Sequence, residues 1–218
     1  METESWQELV QAILEGEEEL AGKAAQKAIQ AGASAQQVLD AISSAADELG
    51  RRFEAGDCYL PELFAGAEAM SAAVDRILPA LEQGAAEPRG TVVIGAVEGD
   101  VHEIGKRIVA AMLAGAGFRV HDLGTDVPAA LFVEKVRALR PDIVAASAYI
   151  TTTAQRLPEI AAALEQAGLR PQVKYLIGGA AVSRGMAAWA GADAYGENAA
   201  EAVAVARSLV EERRRERR

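Results

Sequence analysis

The segment Glu98–Gly105 places a carboxylate and an imidazole two residues apart. It reads Glu98-Gly99-Asp100-Val101-His102-Glu103-Ile104-Gly105. Asp100 and His102 suit a metal site, because a histidine that binds metal through one ring nitrogen usually donates its other N–H to a carboxylate, which fixes the ring and its tautomer. The only other histidine in the chain is His121. A second interpretation stays open, in which Asp100 caps the following helix and His102 is an ordinary loop residue.

Two further segments carry side chains that suit a ligand site. The segment Ser147–Thr153 has four serine and threonine hydroxyls in seven residues and follows an apolar run. Gly178, Gly179 and Ala180 follow another apolar run, and residues this small let a ligand approach the backbone closely. The alternative is that these glycines only turn the chain into the next helix.

Strand and helix patterns alternate from residue 91 onward. The predicted strands are Val92–Val97, Phe118–Leu123, Ile143–Ser147, Val173–Ile177 and Ala192–Tyr195, and the predicted helices between and after them run to about Gly115, over Pro128–Leu139, Thr153–Gln166 and Val182–Trp189, and from Ala199 onward. Strands that alternate with helices form a parallel sheet covered on both faces. We therefore predict an α/β domain with a flavodoxin-like (Rossmann-like), doubly wound, five-stranded parallel sheet in the order 2-1-3-4-5.

This strand order predicts where a ligand binds. The sheet reverses direction between its first and third strands, and ligands bind outside the carboxyl ends of the strands at such a point. The predicted crevice is lined by Asp100, His102, Ser147, Thr151 and Thr153.

The usual ligands of this fold match the crevice poorly. A dinucleotide site would need Gly-x-Gly-x-x-Gly after the first strand, and Gly95, Gly99 and Gly105 do not have that spacing. A flavin phosphate would be expected on a hydroxyl-rich first loop, whereas this loop is acidic. A phosphoacceptor domain would need an aspartate at the end of the third strand, where Ser147 stands.

Residues 1–84 show four helical patterns separated by glycines. The third begins with Ser34 three residues before Gln37, the spacing of a capping box, and the fourth begins at Pro61, a favoured first helical residue. Short connections make neighbouring helices antiparallel, so we predict a four-helix bundle. Residues 85–90 break the pattern with proline and glycine, which places the domains at 1–88 and 89–218.

Charge and composition exclude several classes of partner. Residues 1–90 carry 17 acidic and 6 basic residues, net −11, which argues against nucleic acid. We interpret the basic run 213–218 as a solvated final helical turn that suits the helix dipole, rather than a tail for nucleic acid or membrane. No stretch reaches the ~20 apolar residues that span a bilayer, and no leader pattern opens the chain. The single Cys58 can form no internal disulfide, so we expect a cytoplasmic protein.

The three candidate segments together resemble the cobalamin-binding signature Asp-x-His-x-x-Gly … Ser-x-Leu … Gly-Gly of methionine synthase and of the corrinoid proteins of methyltransferase systems. Asp100-x-His102-x-x-Gly105 matches the first part, 41 residues separate Gly105 from Ser147, and 28 separate Tyr149 from Gly178. The departure is Tyr149, which stands at the leucine position. Its ring keeps an apolar contact but adds volume and a hydroxyl.

The resemblance covers nearly the whole chain. Four further stretches look like the small corrinoid proteins of methyltransferase systems, namely Gly105-Lys106, Asp122–Pro128, Thr151–Thr153 and Leu60–Met70. The last of these corresponds to the final helix of their N-terminal helical domain. The resemblance therefore implies a helical bundle cap followed by a cobalamin-binding α/β domain.

The resemblance assigns roles to the candidate residues. It implies that the chain binds cobalamin or another corrinoid, and that His102 is the ligand on the lower face of cobalt after the cofactor's dimethylbenzimidazole has moved away. Asp100 and Thr153 would continue a hydrogen-bond relay behind His102, and the displaced nucleotide tail would enter a slot. The implied cofactor-binding residues are Gly99, Asp100, Val101, His102, Glu103, Ile104, Gly105, Ser147, Tyr149, Thr151, Thr153, Gly178, Gly179 and Ala180.

The implied function is that of a corrinoid methyl carrier. The cobalt would accept a methyl group from a substrate-specific methyltransferase and donate it through a second methyltransferase to a thiol or tetrahydrofolate, with a reductive activation protein as a further partner. No site for a methyl donor is visible in the sequence, so we do not expect the chain to catalyse the transfer alone. Carriers of this type serve methanol, methylamines, betaines and methoxylated aromatics, which leaves the donor open.

A second class of function also shares the bundle-plus-sheet arrangement. Cobalamin-dependent light sensors and regulators would be expected to place a histidine in the bundle, and residues 1–90 contain none. The cobalamin subunit of a carbon-skeleton mutase would account for the sheet domain but not for the bundle.

The helical bundle is expected to cover the upper face of the corrin, because an alkyl–cobalt bond needs shelter. The candidate covering residues are Tyr59, Leu60, Phe64 and Met70. The alternative is that all four belong to the internal core of the bundle.

Overall fold

The computed structural model describes residues 2–82 and 88–216. The chain divides into two compact units, Met1–Gly84 and Ala85–Arg218. The predicted interdomain segment 85–90 lies partly outside the described residues. Among the helices of the described residues, none is both long and apolar enough to cross a membrane.

The first unit contains four helices. They are α1 (Glu2–Leu14), α2 (Glu18–Gln30), α3 (Ala35–Ala55) and α4 (Leu60–Glu82). The predicted capping box begins α3: the Ser34 hydroxyl accepts from the Gln37 N–H at 3.3 Å, and the Ser34 N–H donates to Gln37 Oε1 at 2.9 Å. Apolar side chains from all four helices form the core, among them Leu9, Ile13, Ala25, Val38, Leu39, Ile42, Leu49, Val74 and Ile77.

The four candidate covering residues do not share one environment. Met70 is buried at 3% exposure, as expected of a core residue. Tyr59 and Phe64 are 71% and 65% exposed, so these two aromatic rings are not part of the bundle core. The side chain of Leu60 lies outside the described part of the chain.

The second unit is a five-stranded parallel sheet with helices on both faces. Its elements are β1 (Thr91–Ala96), α5 (Ile104–Gly115), β2 (Arg119–Asp122), α6 (Ala129–Leu139), β3 (Ile143–Ser147), α7 (Thr151–Ala154), α8 (Leu157–Gln166), β4 (Lys174–Gly178), α9 (Met186–Trp189), β5 (Ala194–Gly196) and α10 (Ala199–Glu216). The strand order β2-β1-β3-β4-β5 confirms the predicted doubly wound sheet. Ala96 pairs with Ser147 and Ser147 with Gly178, so β1, β3 and β4 end close together at one edge.

The predicted helix Thr153–Gln166 is interrupted. Its residues fall into α7 and α8, with Pro158 as the second residue of α8. Proline has no N–H to donate to the carbonyl four residues earlier, so α7 cannot continue, whereas proline is well suited to the first turn of a new helix. The buried Tyr175 hydroxyl donates to the Leu157 carbonyl at 2.9 Å and fixes this junction. The predicted helix Val182–Trp189 likewise shortens to the four residues of α9.

The basic run at the end of α10 is not simply solvated. Arg213 is only 7% exposed, and its Nη1 donates to the Asp142 carbonyl oxygen at 3.2 Å. Arg214 Nη2 donates to the Arg89 carbonyl oxygen at 2.7 Å. These two cations fasten α10 to the segments that precede β3 and β1, so the interpretation as a solvated turn is wrong for Arg213. Arg217 and Arg218 lie outside the described residues.

Candidate functional site

Asp100 is the buried centre of the loop between β1 and α5. Gly99, with φ +83°, turns the chain directly before it. The Asp100 N–H then donates to the Val97 carbonyl at 2.9 Å, and Asp100 is 1% exposed. Residues on either side of it, such as Val101 at 70% exposure, face outward. The loop therefore buries one carboxylate beneath an exposed surface at the carboxyl ends of the strands.

The Asp100 carboxylate accepts four hydrogen bonds from three places in the chain. Its Oδ1 accepts from the His102 N–H at 3.0 Å and lies 2.9 Å from His102 Nδ1. Its Oδ2 accepts from the Tyr149 N–H and from the Thr153 hydroxyl, each at 2.6 Å. A carboxylate that accepts several hydrogen bonds is stabilised in its ionised form. Asp100 thus joins the end of β1 to the segment that follows β3.

Burial and hydrogen bonding act in opposite directions on this carboxyl group. Burial alone raises the pKa of Asp100. The hydrogen bonds from Thr153, from the Tyr149 and His102 N–H groups and from the His102 ring lower it and together outweigh burial, so the net pKa lies below its ordinary value. Asp100 is therefore ionised at neutral pH and can accept a hydrogen bond from the Nδ1–H group of His102.

The contact with Asp100 determines which nitrogen of His102 remains available. An ionised carboxylate can only accept hydrogen bonds, so Nδ1 carries a proton, and in the neutral imidazole the lone pair is then on Nε2. The side chain of His102 is 43% exposed although its partner is almost fully buried. This arrangement presents one imidazole nitrogen outward in a fixed orientation, as a metal ligand requires.

Tyr149 lies against the imidazole. The ring centroids of His102 and Tyr149 are 4.3 Å apart and the ring planes differ by 17°, which is a stacked arrangement. The backbone N–H of the same tyrosine bonds to Asp100 Oδ2. Tyr149 therefore holds the histidine and its carboxylate partner at once, through its ring and its peptide group.

Thr153 lies in α7 and is 6% exposed. Its hydroxyl oxygen is 2.6 Å from Asp100 Oδ2 and 2.9 Å from the Ile150 carbonyl oxygen. A hydroxyl has a single hydrogen, so it can donate to only one of these acceptors at a time. Next to an ionised carboxylate, that hydrogen points to Asp100.

The segment Asp122–Val127 packs beside residues 98–103, the loop between β1 and α5 that we call the histidine loop. None of its residues was among the predicted site residues. The Asp126 N–H donates to the Asp100 carbonyl at 2.9 Å, and Asp126 Oδ1 accepts from the Gly99 N–H at 2.7 Å. At the other end of this loop, Asp122 forms an ion pair with the buried Lys106 of α5. The stretch was noticed only through its resemblance, because no residue pattern shows that a carboxylate 27 residues away reaches the Gly99 amide.

Backbone packing requires the two glycines at the end of β4, Gly178 in the strand and Gly179 directly after it. A Cβ on Gly179 would lie 2.1 Å from the Ala148 carbonyl oxygen, and one on Gly178 would lie 2.9 Å from the Gly196 carbonyl oxygen. Gly179 also has φ +117°, a conformation open to glycine alone. The fold therefore explains both glycines, whether or not a ligand approaches them.

Gly105 behaves differently from these two. It lies in the first turn of α5 without a positive φ, and a Cβ added there would meet no heavy atom within 4 Å. Neither backbone conformation nor packing within the chain requires a glycine at this position. The open space beside Gly105 lies at the exposed end of the sheet where His102 is presented.

The remaining predicted residues lie at the same edge without joining the Asp100 hydrogen-bond network. Ser147 is the last residue of β3, level with Gly178 in the sheet. Glu103 and Ile104 lie at the start of α5, Thr151 begins α7, and Ala180 follows Gly179. The structure thus brings Asp100, His102, Tyr149 and Thr153 into direct contact and places the other predicted residues around them.

Comparison with protein families identifies two matching regions. A model described as a B12 binding domain matches residues 90–204, and a second model with the same description matches residues 6–78. Trimethylamine corrinoid protein 1 of Methanosarcina acetivorans is 44% identical over 202 residues, which cover 91% of this chain and 94% of that protein. Dimethylamine corrinoid protein 2 of Methanosarcina mazei is 40% identical over 205 residues, covering 94% and 96%.

Solved structures agree with these sequence matches. The monomethylamine corrinoid protein of Methanosarcina barkeri superimposes with a TM-score of 0.85 at 32% identity, over 96% of this chain and all of that one. A chain of the methanol:cobalamin methyltransferase complex of the same organism matches with a TM-score of 0.55 at 32% identity, over 95% of this chain and 80% of that one.

Proposed function

Because this chain belongs to the family of B12-binding corrinoid proteins, we propose that it carries methyl groups from a methylamine to an acceptor. The observation that carries this proposal is the identity of 40–45% to trimethylamine and dimethylamine corrinoid proteins over most of both chains. The chain binds a corrinoid and works with a methyltransferase. We infer that trimethylamine or dimethylamine is the methyl donor. We infer further that a second methyltransferase passes the methyl group to the acceptor and that a reductive activation protein is another partner.

The residues at the sheet edge fit a corrinoid. His102 presents Nε2 outward while Asp100 fixes its Nδ1, which suits a metal ligand. Val101, Tyr149 and Ile150 are large apolar side chains exposed beside it, and such patches mark binding surfaces. The space that a side chain at Gly105 would fill is open. Together these features suit a flat, largely apolar ring that approaches the backbone closely.

The residues of this chain would hold, orient and shield the cofactor. His102 would bind the cobalt, Asp100 would keep the imidazole in the required tautomer, and Thr153 would supply or receive a hydrogen bond when the charge of Asp100 changes. Bound cobalt supplies the methyl transfer chemistry itself. Gly99, Val101, Glu103, Ile104 and Gly105 would contact the corrin from the loop and the start of α5.

We place the displaced nucleotide tail beside the ends of β3 and β4. Ser147, Tyr149 and Thr151 on one side and Gly178, Gly179 and Ala180 on the other would line that slot. The support is the register of the two strands, which brings Ser147 level with Gly178.

Methyl transfer measured with alternative donors tests the proposed function. Reduced, corrinoid-loaded protein is incubated with methyltransferases specific for trimethylamine, dimethylamine or methanol, each with its own substrate, and the absorption spectrum of the bound corrinoid is followed. We expect the methylamine reactions to be at least ~10-fold faster than the methanol reaction, since a mismatch of even ~1.4 kcal/mol at the protein–protein contact gives that factor. A response to methanol alone would contradict the methylamine assignment.

The residue that would bind the cobalt can be identified by isotopic labelling. With all histidine nitrogens replaced by ¹⁵N, the electron paramagnetic resonance splitting of the Co(II) form should change, because the coupled nucleus changes. The change should disappear in His102→Ala and persist in His121→Ala, the matched control on β2. If labelling leaves the splitting of the wild-type protein unaltered, the cofactor's own base holds the cobalt, and the roles proposed for Asp100, His102 and Thr153 must be withdrawn.

A further inference from the structure

We propose that Asp126 is a positioning residue that holds the histidine loop in the geometry in which Asp100 orients His102. This inference rests on the proposed role of His102 as the cobalt ligand. Asp126 acts on the backbone of Gly99 and Asp100, the two residues that precede the exposed Val101 and His102.

The first argument is the backbone conformation of Asp126. Among the described residues, only Asp126 and Arg140 have a positive φ without being glycine, at 54° and 47°. Such a conformation is unfavourable for most residues, although aspartate tolerates it better than others. A residue held in this region points to a constraint from its surroundings. Here the conformation directs the Asp126 N–H to the Asp100 carbonyl and the carboxylate to the Gly99 N–H.

The second argument is that the peptide groups of this loop depend on Asp126. The Asp100 N–H is bonded within its own loop to Val97, but the Asp100 carbonyl and the Gly99 N–H are both bonded to Asp126. Asp100 therefore has side-chain partners in His102, Tyr149 and Thr153 and backbone partners in Val97 and Asp126. The hydrogen bond to Val97 closes the turn at Gly99 from within, and Asp126 holds the backbone of the same turn from outside it.

The third argument is that the loop containing Asp126 is itself held at both ends. Lys106, whose side chain is 1% exposed, pairs with Asp122, and Asp122 Oδ1 also accepts from the Gly124 N–H at 2.9 Å. At the other end, the Val127 N–H donates to the Ala96 carbonyl at 3.0 Å. Asp126 thus belongs to a segment that is fixed at both ends. Its two hydrogen bonds hold the histidine loop against that segment.

Two substitutions separate the carboxylate from the backbone conformation. Asp126→Gly keeps the left-handed conformation available and removes the acceptor, whereas Asp126→Asn keeps both the conformation and an acceptor oxygen. Arg140→Gly is the matched control, since Arg140 has the same backbone conformation but caps the far end of α6. All three are made in the full-length, corrinoid-free chain.

Amide hydrogen exchange measured by nuclear magnetic resonance reports the loop directly. In Asp126→Gly we expect the Gly99 and His102 N–H groups to exchange about 5-fold faster, the factor given by one lost hydrogen bond, while Asp126→Asn shows less than half of that effect and Arg140→Gly none. The thermal midpoint should remain close to that of the wild type, which excludes general unfolding. Equal exchange in Asp126→Gly and wild-type protein would overturn the proposal, as would equal losses in the glycine and asparagine variants.

Corrinoid binding gives the second readout. If the loop holds the competent geometry in only about a fifth of the Asp126→Gly molecules, the Kd for aquocobalamin should rise about 5-fold. An unchanged Kd with faster exchange would overturn the positioning role. Failure of the wild-type chain to bind any corrinoid would refute the proposed function instead, and it would leave the exchange result untouched.

Discussion

Gly105→Ala should leave the corrinoid-free protein at least as stable as the wild type while weakening corrinoid binding about 5-fold or more. Replacing a helical glycine by alanine usually stabilises by ~0.5–1 kcal/mol when the conformation is compatible, and Gly105 has an ordinary φ and open space at the Cβ position. In the corrinoid-loaded protein we expect the substitution to be unfavourable instead. At the proposed contact with the corrin, an extra methyl group in a close-packed position costs ~1–3 kcal/mol of binding free energy.

The two effects of Gly105→Ala are measured separately. Denaturant unfolding of the corrinoid-free variant gives its stability, and an absorbance titration with aquocobalamin gives its Kd. Gly50→Ala is the matched control, because Gly50 lies within α3, also lacks a positive φ, and its Cβ would likewise meet nothing within 4 Å. It should gain similar stability with an unchanged Kd. Wild-type affinity in Gly105→Ala would show that no bound group approaches this residue.

Gly179→Ala should destabilise the corrinoid-free α/β unit by about 4 kcal/mol or more, which lies in the exceptional range for single substitutions. The added Cβ would lie 2.1 Å from the Ala148 carbonyl oxygen, and φ +117° is strained for any residue with a side chain. Neither problem can be relieved by a side-chain rotation, because the clashing atom belongs to the backbone. Relaxation would displace Ala148 and its neighbour Tyr149, whose N–H bonds to Asp100.

Gly185→Ala supplies the comparison within the same β4–α9 connection. Gly185 has φ −64°, and the nearest atom to its added Cβ is Ser183 Oγ at 3.9 Å. Its unfolding free energy should stay within ~0.5 kcal/mol of the wild type, as for surface substitutions. For Gly179→Ala, a fall in the thermal midpoint of roughly 10 °C is expected at 2–4 °C per kcal/mol. A midpoint equal to that of Gly185→Ala would contradict the packing argument.

The strand order and the location of the site could be predicted from the sequence because both depend on local patterns. Apolar runs that alternate with helical patterns imply a parallel sheet, and its reversal places the Asp100 and Ser147 loops next to each other. The capping box at Ser34 is equally local, and it was confirmed. The capping box depends only on neighbouring residues. The strand order could be predicted because alternating strands and helices are compatible with only a few sheet topologies.

The features that the sequence did not reveal depend on contacts between distant residues. Asp126 reaches Gly99 only because an aspartate adopts a left-handed conformation there, which no periodicity indicates. Arg213 belongs to a run of arginines typical of a solvated helix end, yet the approach of Asp142 buries it. The break between α7 and α8 had a local signal in Pro158, which the helical pattern of the surrounding residues obscured.

The pair Gly178-Gly179 and the single Gly105 show that a sequence motif alone does not distinguish glycines needed for folding from glycines needed for ligand binding. All three belong to the cobalamin-binding signature. Added side chains would collide with backbone atoms at the first two positions and with nothing at the third. A substitution at Gly105 should therefore report on the ligand, whereas a substitution at Gly179 reports on folding.

The single hydrogen of the Thr153 hydroxyl couples the charge of Asp100 to the Ile150 carbonyl. When Asp100 is ionised, that hydrogen is directed to its carboxylate, and the Ile150 carbonyl accepts only from the Ala154 N–H, at 3.0 Å. When Asp100 takes up a proton, it becomes a donor, and the hydroxyl can turn its hydrogen to Ile150, 2.9 Å away. Ile150 is 42% exposed. The protonation state of Asp100 thereby determines whether the Ile150 carbonyl accepts one hydrogen bond or two.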